Sequence, residues 1–132
     1  MRTSYLILIA LSLSGLLAVS CEEDNAKTIG EIEVYDDQGR SVSNAQVRLY
    51  CTESNCVVER EGVTDSRGVY SEEFEKPVVL AVEAFKLDTT ITDTGSPPNV
   101  GFIVEIDSAY GEGFISVGEG KTTSKPIVLL PR

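Results

Sequence analysis

The chain has 132 residues, with 21 acidic against 11 basic side chains, a formal net charge of −10 at pH 7, and neither His nor Trp. So negative a balance opposes nucleic acid and anionic lipid surfaces, where Lys and Arg facing phosphates supply most of the nonspecific affinity. The length leaves room for one domain with a real core and not for two.

Residues 6–19 run almost unbroken through Leu, Ile, Ala, Ser, Gly and Val behind a single basic residue, Arg2. A membrane-spanning helix needs about 20 apolar residues. This stretch is shorter and ends in small residues at a cleavage-like site, so residues 1–20 are expected to be a signal peptide that is removed. Leu17-Ala18-Val19-Ser20-Cys21 resembles the bacterial lipobox, with Ser20 where Gly or Ala is preferred and Ala18 where Leu is usual. The resemblance implies a lipoprotein of the cell envelope, held to the outer membrane through an acylated Cys21. One acyl chain binds a bilayer only reversibly, at about 0.8 kcal/mol per buried methylene, whereas two or three give a durable anchor without a transmembrane helix.

Residues 21–27 then read as an acidic tether. Glu22, Glu23 and Asp24 form a run of like charge that cannot repay the entropy of ordering, and the run also resembles surface-export signals of some Gram-negative lipoproteins. Arg2 is the one charged residue that leaves with residues 1–20, so the mature 112 residues would carry 10 basic and 21 acidic side chains, a net of −11.

From residue 28 onward the pattern is period-two alternation punctuated by Gly, Asp, Ser and Pro, which is all-β. Gly30, Ile32 and Val34 share one face, opposite Glu31, Glu33 and Tyr35. Ala45, Val47, Leu49 and Cys51 share another, opposite Gln46, Arg48 and Tyr50. Residues 56–60 read as a short return strand. Residues 68–74 place Tyr70 and Phe74 together, with Glu72 on the same parity suggesting an edge or a bulge. Val78, Leu80, Val82 and Ala84 form a strongly apolar face, with Val79 and Ala81 filling much of the other, as in a central strand. Residues 87–112 read as a long hairpin-like excursion broken at 95–99. Residues 114–117 and 126–130 supply the last strands, joined through a turn at 118–121, with Pro126 at a strand start where its missing N–H costs nothing. Short strands at this spacing favour a β-sandwich.

Cys51 and Cys56 flank four residues, a normal hairpin length that puts their Cα atoms at a distance a disulfide can bridge. In an exported protein such a bond persists, and so small a ring contributes at most about 2 kcal/mol, enough to pin a loop. A zinc site would need about four ligands, and neither His nor a third free thiol is present to complete one. Asp37-Gln38-Gly39 and Asp65-Ser66-Arg67-Gly68 place Asp ahead of Gly, where the carboxylate can accept backbone N–H bonds and Gly can take positive φ. A calcium loop would need about six oxygen ligands, more than either segment offers. No metal or cofactor is expected.

Residues 34–49, then Thr64-Asp65-Ser66-Arg67-Gly68-Val69-Tyr70, then Val82-Glu83-Ala84-Phe85-Lys86 together resemble the carboxypeptidase regulatory-like domain. Its pattern runs D-x-x-G, V-x-x-A-x-V-x-L, then T-D-x-x-G-x-Y. The resemblance covers residues 28–132, departs from the usual spacing around 87–112, and implies a seven-stranded Greek-key sandwich of the transthyretin (prealbumin) type. It implies little about function, because such sandwiches serve as accessory modules beside many activities.

Transthyretin-like hydrolases rely on His, which is absent, and the Lys of isopeptide-forming relatives has no counterpart in Gly30-Glu31-Ile32-Glu33-Val34. Ser nucleophiles lack a His base, and no Gly-rich run suits a phosphate. Two functions remain. One is a noncatalytic envelope module that binds an unspecified protein or glycan, or assembles, through exposed aromatics such as Tyr35, Tyr50 and Phe85. The other is an accessory subunit or weak hydrolase using the clustered carboxylates Glu72, Glu73 and Glu75.

Overall fold

A computed structural model of the chain describes residues 26–98 and 100–132. The expected signal segment, Cys21 and the acidic run of Glu22, Glu23 and Asp24 lie outside the described residues. The strands are β1 (Thr28–Tyr35), β2 (Gln46–Tyr50), β3 (Glu59–Val63), β4 (Val69–Phe74), β5 (Val78–Asp93), β6 (Phe102–Val117), β7 (Thr122–Val128) and the two-residue β8 (Leu130–Pro131). They form a three-stranded sheet, β4-β1-β7, and a five-stranded sheet, β3-β2-β5-β6-β8, with β5 central. All neighbours are antiparallel except β1 and β7. The all-β reading and its two sheets therefore hold, with eight strands where seven were expected.

The core is the set of inward faces that alternation marks out. Ile32 and Val34 of β1, Phe74 of β4 and Ile127 of β7 meet Val47 and Leu49 of β2, Leu80, Val82 and Ala84 of β5, and Ile115 and Val117 of β6. Each such aliphatic side chain contributes about 1.5–3 kcal/mol on burial. Glycines set how closely the sheets approach at one corner. A Cβ at Gly111 would collide with the Val128 carbonyl oxygen, and one at Gly113 would lie 2.9 Å from Ile127 Cδ1. There the chain passes from one sheet to the other: the Leu129 N–H donates to the Tyr35 carbonyl at 2.8 Å while Leu130 pairs with Tyr110. Thr64 ties two connections together. Its buried hydroxyl accepts the Ala45 N–H at 2.9 Å and donates to the Val42 carbonyl at 2.7 Å. Among the described residues, every buried side-chain nitrogen and oxygen has a partner.

Several expectations need correction. The return strand begins at Glu59, not at residue 56, because β2 and β3 first pair at Tyr50 and Glu59. Cys51 and Cys56 are disulfide-bonded, Cα to Cα 5.7 Å, inside the resulting loop and not across a ladder. Glu72 marks an edge without a bulge, since the β1–β4 register runs unbroken and β4 ends its sheet. Pro126 lies within β7, opposite Glu33, and is tolerated because β7 is the other edge of that sheet. Val79 is exposed whereas Ala81 is buried. Residues 114–117 are the end of the 16-residue β6.

Both Asp-to-Gly turns have one geometry, and in the first the capping residue is Asp36 in place of Asp37. Asp36 Oδ1 accepts the Gln38 and Arg40 N–H groups at 2.9 Å each, and Asp65 Oδ1 accepts those of Arg67 at 2.8 Å and Val69 at 3.0 Å. Gly39 and Gly68 follow three residues later at φ 76° and 78°. Bonds from the Arg40 and Val69 amides, respectively, are the chief cause that holds each carboxyl below its ordinary range. A lowered folded pKa adds stability that is complete above the unfolded value near 3.9 and is lost as pH falls through the folded value. The denaturant midpoint should therefore drop on acidification below about pH 4. The variant Asp36→Asn/Asp65→Asn should be less stable at neutral pH and show a shallower acid loss; an unchanged acid slope would contradict the role given to these turns.

Candidate binding face

The outer face of the five-stranded sheet is built in rows that cross-strand pairing sets. One row runs Glu61, Arg48, Glu83, Glu112 across β3, β2, β5 and β6. Arg48 organises it. Its guanidinium lies 2.7 Å from Glu59, 3.6 Å from Glu61 and 3.7 Å from Glu83, and 4.8 Å from the centre of the Tyr50 ring. Tyr50 Oη donates to Glu83 at 3.0 Å, and that bond is the main reason its phenol titrates above the ordinary range. These groups are too exposed for the pairs to add much stability. Their effect is to fix the positions of Arg48 and Tyr50.

The next row is largely apolar, with Gln46 its polar member: Val63, Gln46, Phe85, Tyr110 and Leu130. Tyr110 Oη donates to Glu112 at 3.1 Å, and the Arg132 guanidinium sits 4.2 Å from its ring centre. Burial first, and then the bond to Glu112, raises the Tyr110 pKa. Between the two rows Gln46, Arg48, Glu61, Val63, Glu83 and Phe85 line a shallow groove of about 370 Å³. A second groove, about 540 Å³, opens near the disulfide between Val58, Arg60, Phe74, Lys76 and Val78.

Beyond that apolar row the sheet narrows to two strands. β5 and β6 pair without interruption from Val78–Val117 to Asp93–Phe102, while β2 reaches only Phe85 and β8 only Ala109. Among the described residues, no other strand pairs with the distal half. The expected excursion is thus an extension of the central ladder, a projecting ribbon. Its base is held on both sides: Lys86 Nζ donates to the Ser43 carbonyl at 3.0 Å, and the Arg132 N–H donates to the Ser108 carbonyl at 2.9 Å.

The ribbon is amphipathic. Pairing puts Leu87, Thr89, Ile91 and Asp93 with Phe102, Val104, Ile106 and Ser108 on one face, and the other carries Asp88, Thr90, Thr92, Ile103, Glu105 and Asp107. Leu87, Ile91, Phe102, Val104 and Ile106 are each more than half exposed. By strand parity this apolar face continues that of Phe85 and Tyr110. Asp93, its one acid, is turned to the tip, where Oδ1 accepts the Gly95 N–H at 3.0 Å.

Of the aromatics expected to act together, Tyr50 and Phe85 share this outer face. Tyr35 does not. It stands on the other sheet, where its hydroxyl donates to Glu33 at 3.0 Å. The carboxylates of β4 are also separated: Glu72 accepts from Tyr70 at 2.7 Å and lies 3.3 Å from Arg60, whereas Glu73 is paired with Lys27 at 2.9 Å. Sequence reasoning missed the ribbon's stripe, although the alternation at 87, 89, 91 and at 102, 104, 106 carries the signal. The sequence matches no protein-family model and no curated protein.

Proposed function

We propose that this chain is a lipid-tethered, noncatalytic lipoprotein of the outer membrane, acting in binding or assembly through the outer face of its five-stranded sheet and the ribbon that extends it. We also propose that the sandwich is a divergent carboxypeptidase regulatory-like domain of transthyretin-like, Greek-key type, with β1–β7 as its seven strands and β8 an addition. The twin D-x-x-G turns support that kinship.

The observation that carries the functional reading is a two-stranded ribbon with one apolar face that no other described residue covers. Monomeric proteins seldom expose so much contiguous apolar surface unless something binds there. The tether fits this use. Thr28 lies at the end of the sandwich where β5 starts and β6 finishes: the Gly120 N–H donates to Thr28 Oγ1 at 2.9 Å, and Gly30 abuts Val117. The 16 residues of β5 rise about 3.3 Å each, so the ribbon tip stands about 50 Å from that end. An acylated Cys21 would then hold one end at the bilayer and present the other to a partner. Carboxylate chemistry is the weaker reading, because Glu72 and Glu73 are engaged by different partners.

Cys21→Ser should move the exported protein from the membrane fraction to the soluble one; unchanged membrane retention would count against lipidation. In gently solubilised envelopes, the full chain should migrate on native gels as an assembly larger than one copy, and Ile91→Asp/Val104→Asp should migrate as a single copy. Wild-type protein at single-copy size would refute the binding function.

A further inference from the structure

On the outer face of the five-stranded sheet, Tyr50, Ala81 and Phe114 form the row on the other side of Arg48, Glu83 and Glu112 from the ribbon. Small Ala81 between two aromatic residues leaves a slot of about 340 Å³, which the Glu83–Glu112 pair closes at one end. We propose that this slot takes a guanidinium group, the Arg side chain of a partner protein. The proposal rests on the binding function above and names the chemistry of the partner.

The same face seats two of the chain's own guanidinium groups in this way. Arg48 lies 4.8 Å from the centre of the Tyr50 ring and 3.7 Å from Glu83. Arg132 lies 4.2 Å from the centre of the Tyr110 ring, whose hydroxyl donates to Glu112. Each seat joins an aromatic face to a carboxylate, and both attract a cation. The slot offers the same partners with Phe114 as a further ring, and among the described residues no cation lies over that ring. Phe114 is 63% exposed, so a partner can reach it.

Charge complementarity favours a cationic occupant. Glu83 and Glu112 stand directly opposite one another in the β5–β6 ladder, and like charges so placed cost stability. Arg48 offsets Glu83, whereas Glu112 has no cationic partner among the described residues. Tyr110 bonds to Oε2 of Glu112, which leaves Oε1 for a further donor. A cation seated between the two carboxylates turns their repulsion into attraction. The described residues hold no group of three or more ligands that could bind a metal ion. A guanidinium suits the slot better than an ammonium, because it is flat, stacks on rings, is weakly hydrated and presents a fork of N–H donors to carboxylates. The net charge of −10 also draws a basic partner toward the chain.

The test uses the full chain in detergent at physiological ionic strength, with fluorophore-labelled tetra-arginine and tetra-lysine peptides followed by anisotropy. Tetra-arginine should bind the wild type, and about tenfold more weakly both Phe114→Ala and Glu83→Gln/Glu112→Gln. Glu105→Gln/Asp107→Gln, which removes two charges from the ribbon's far face, should bind it as the wild type does. Cooperative denaturant unfolding checks that each variant is folded. Equal loss in the two double variants, equal affinity of the wild type for tetra-lysine, or no binding of tetra-arginine to the wild type would each overturn the guanidinium site. The binding function stands through any of these if the wild type still migrates as an assembly, and single-copy migration overturns both.

Discussion

The pairing of β5 with β6 is the constraint on which the rest of the molecule depends. Sixteen consecutive residue pairs form one ladder, and its two halves meet different surroundings. In the first half β2 and β8 flank the pair, the second sheet covers it, and Leu80, Val82, Ala84, Ile115 and Val117 become core. In the second half the flanking strands stop, and the same alternation leaves an apolar stripe in solvent. A two-stranded hairpin alone is marginal in water. Grown from a base already fixed in a sandwich, each added pair needs no new loop closure, which is the entropic step that makes hairpins costly. Lys86 and the backbone of Arg132 secure that base.

Charge is distributed to match. The ribbon sorts three of its four acids, Asp88, Glu105 and Asp107, to one side by parity, while Asp93 stands on the other near the tip. On the sandwich the carboxylates are instead held by neighbours: Glu59 and Glu83 by Arg48, Glu72 by Tyr70 and Arg60, Glu73 by Lys27. Asp36 and Asp65 serve the backbone, closing two turns of the same design.

What could be read from the residues follows from what period two encodes. Alternation states which side chains share a face, so the inward faces of β1, β2 and the first half of β5 were legible, as was the Cys51–Cys56 bond. Alternation does not state which strand is the partner or where pairing stops. The start of β3 depends on the Tyr50–Glu59 register, and the ribbon depends on a ladder continuing past Lys86 with, among the described residues, no third strand beside it. Both are tertiary facts. Likewise an Asp-Asp-Gln-Gly turn offers two carboxylates, and only backbone geometry selects Asp36 over Asp37. The close approach at Gly111 and Gly113 exists because β7 crosses there from the other sheet, and no local pattern announces it.

Residue-resolved amide hydrogen exchange on the folded full chain tests the continuous ladder most directly. In a two-stranded ribbon only alternate amides on each strand are bonded across, whereas in a strand flanked on both sides all are. The account predicts protection at every amide of β5 from Leu80 to Phe85, changing to alternate protection from Leu87 to Asp93 and from Phe102 to Ser108. Uniformly unprotected exchange beyond Lys86 would contradict it.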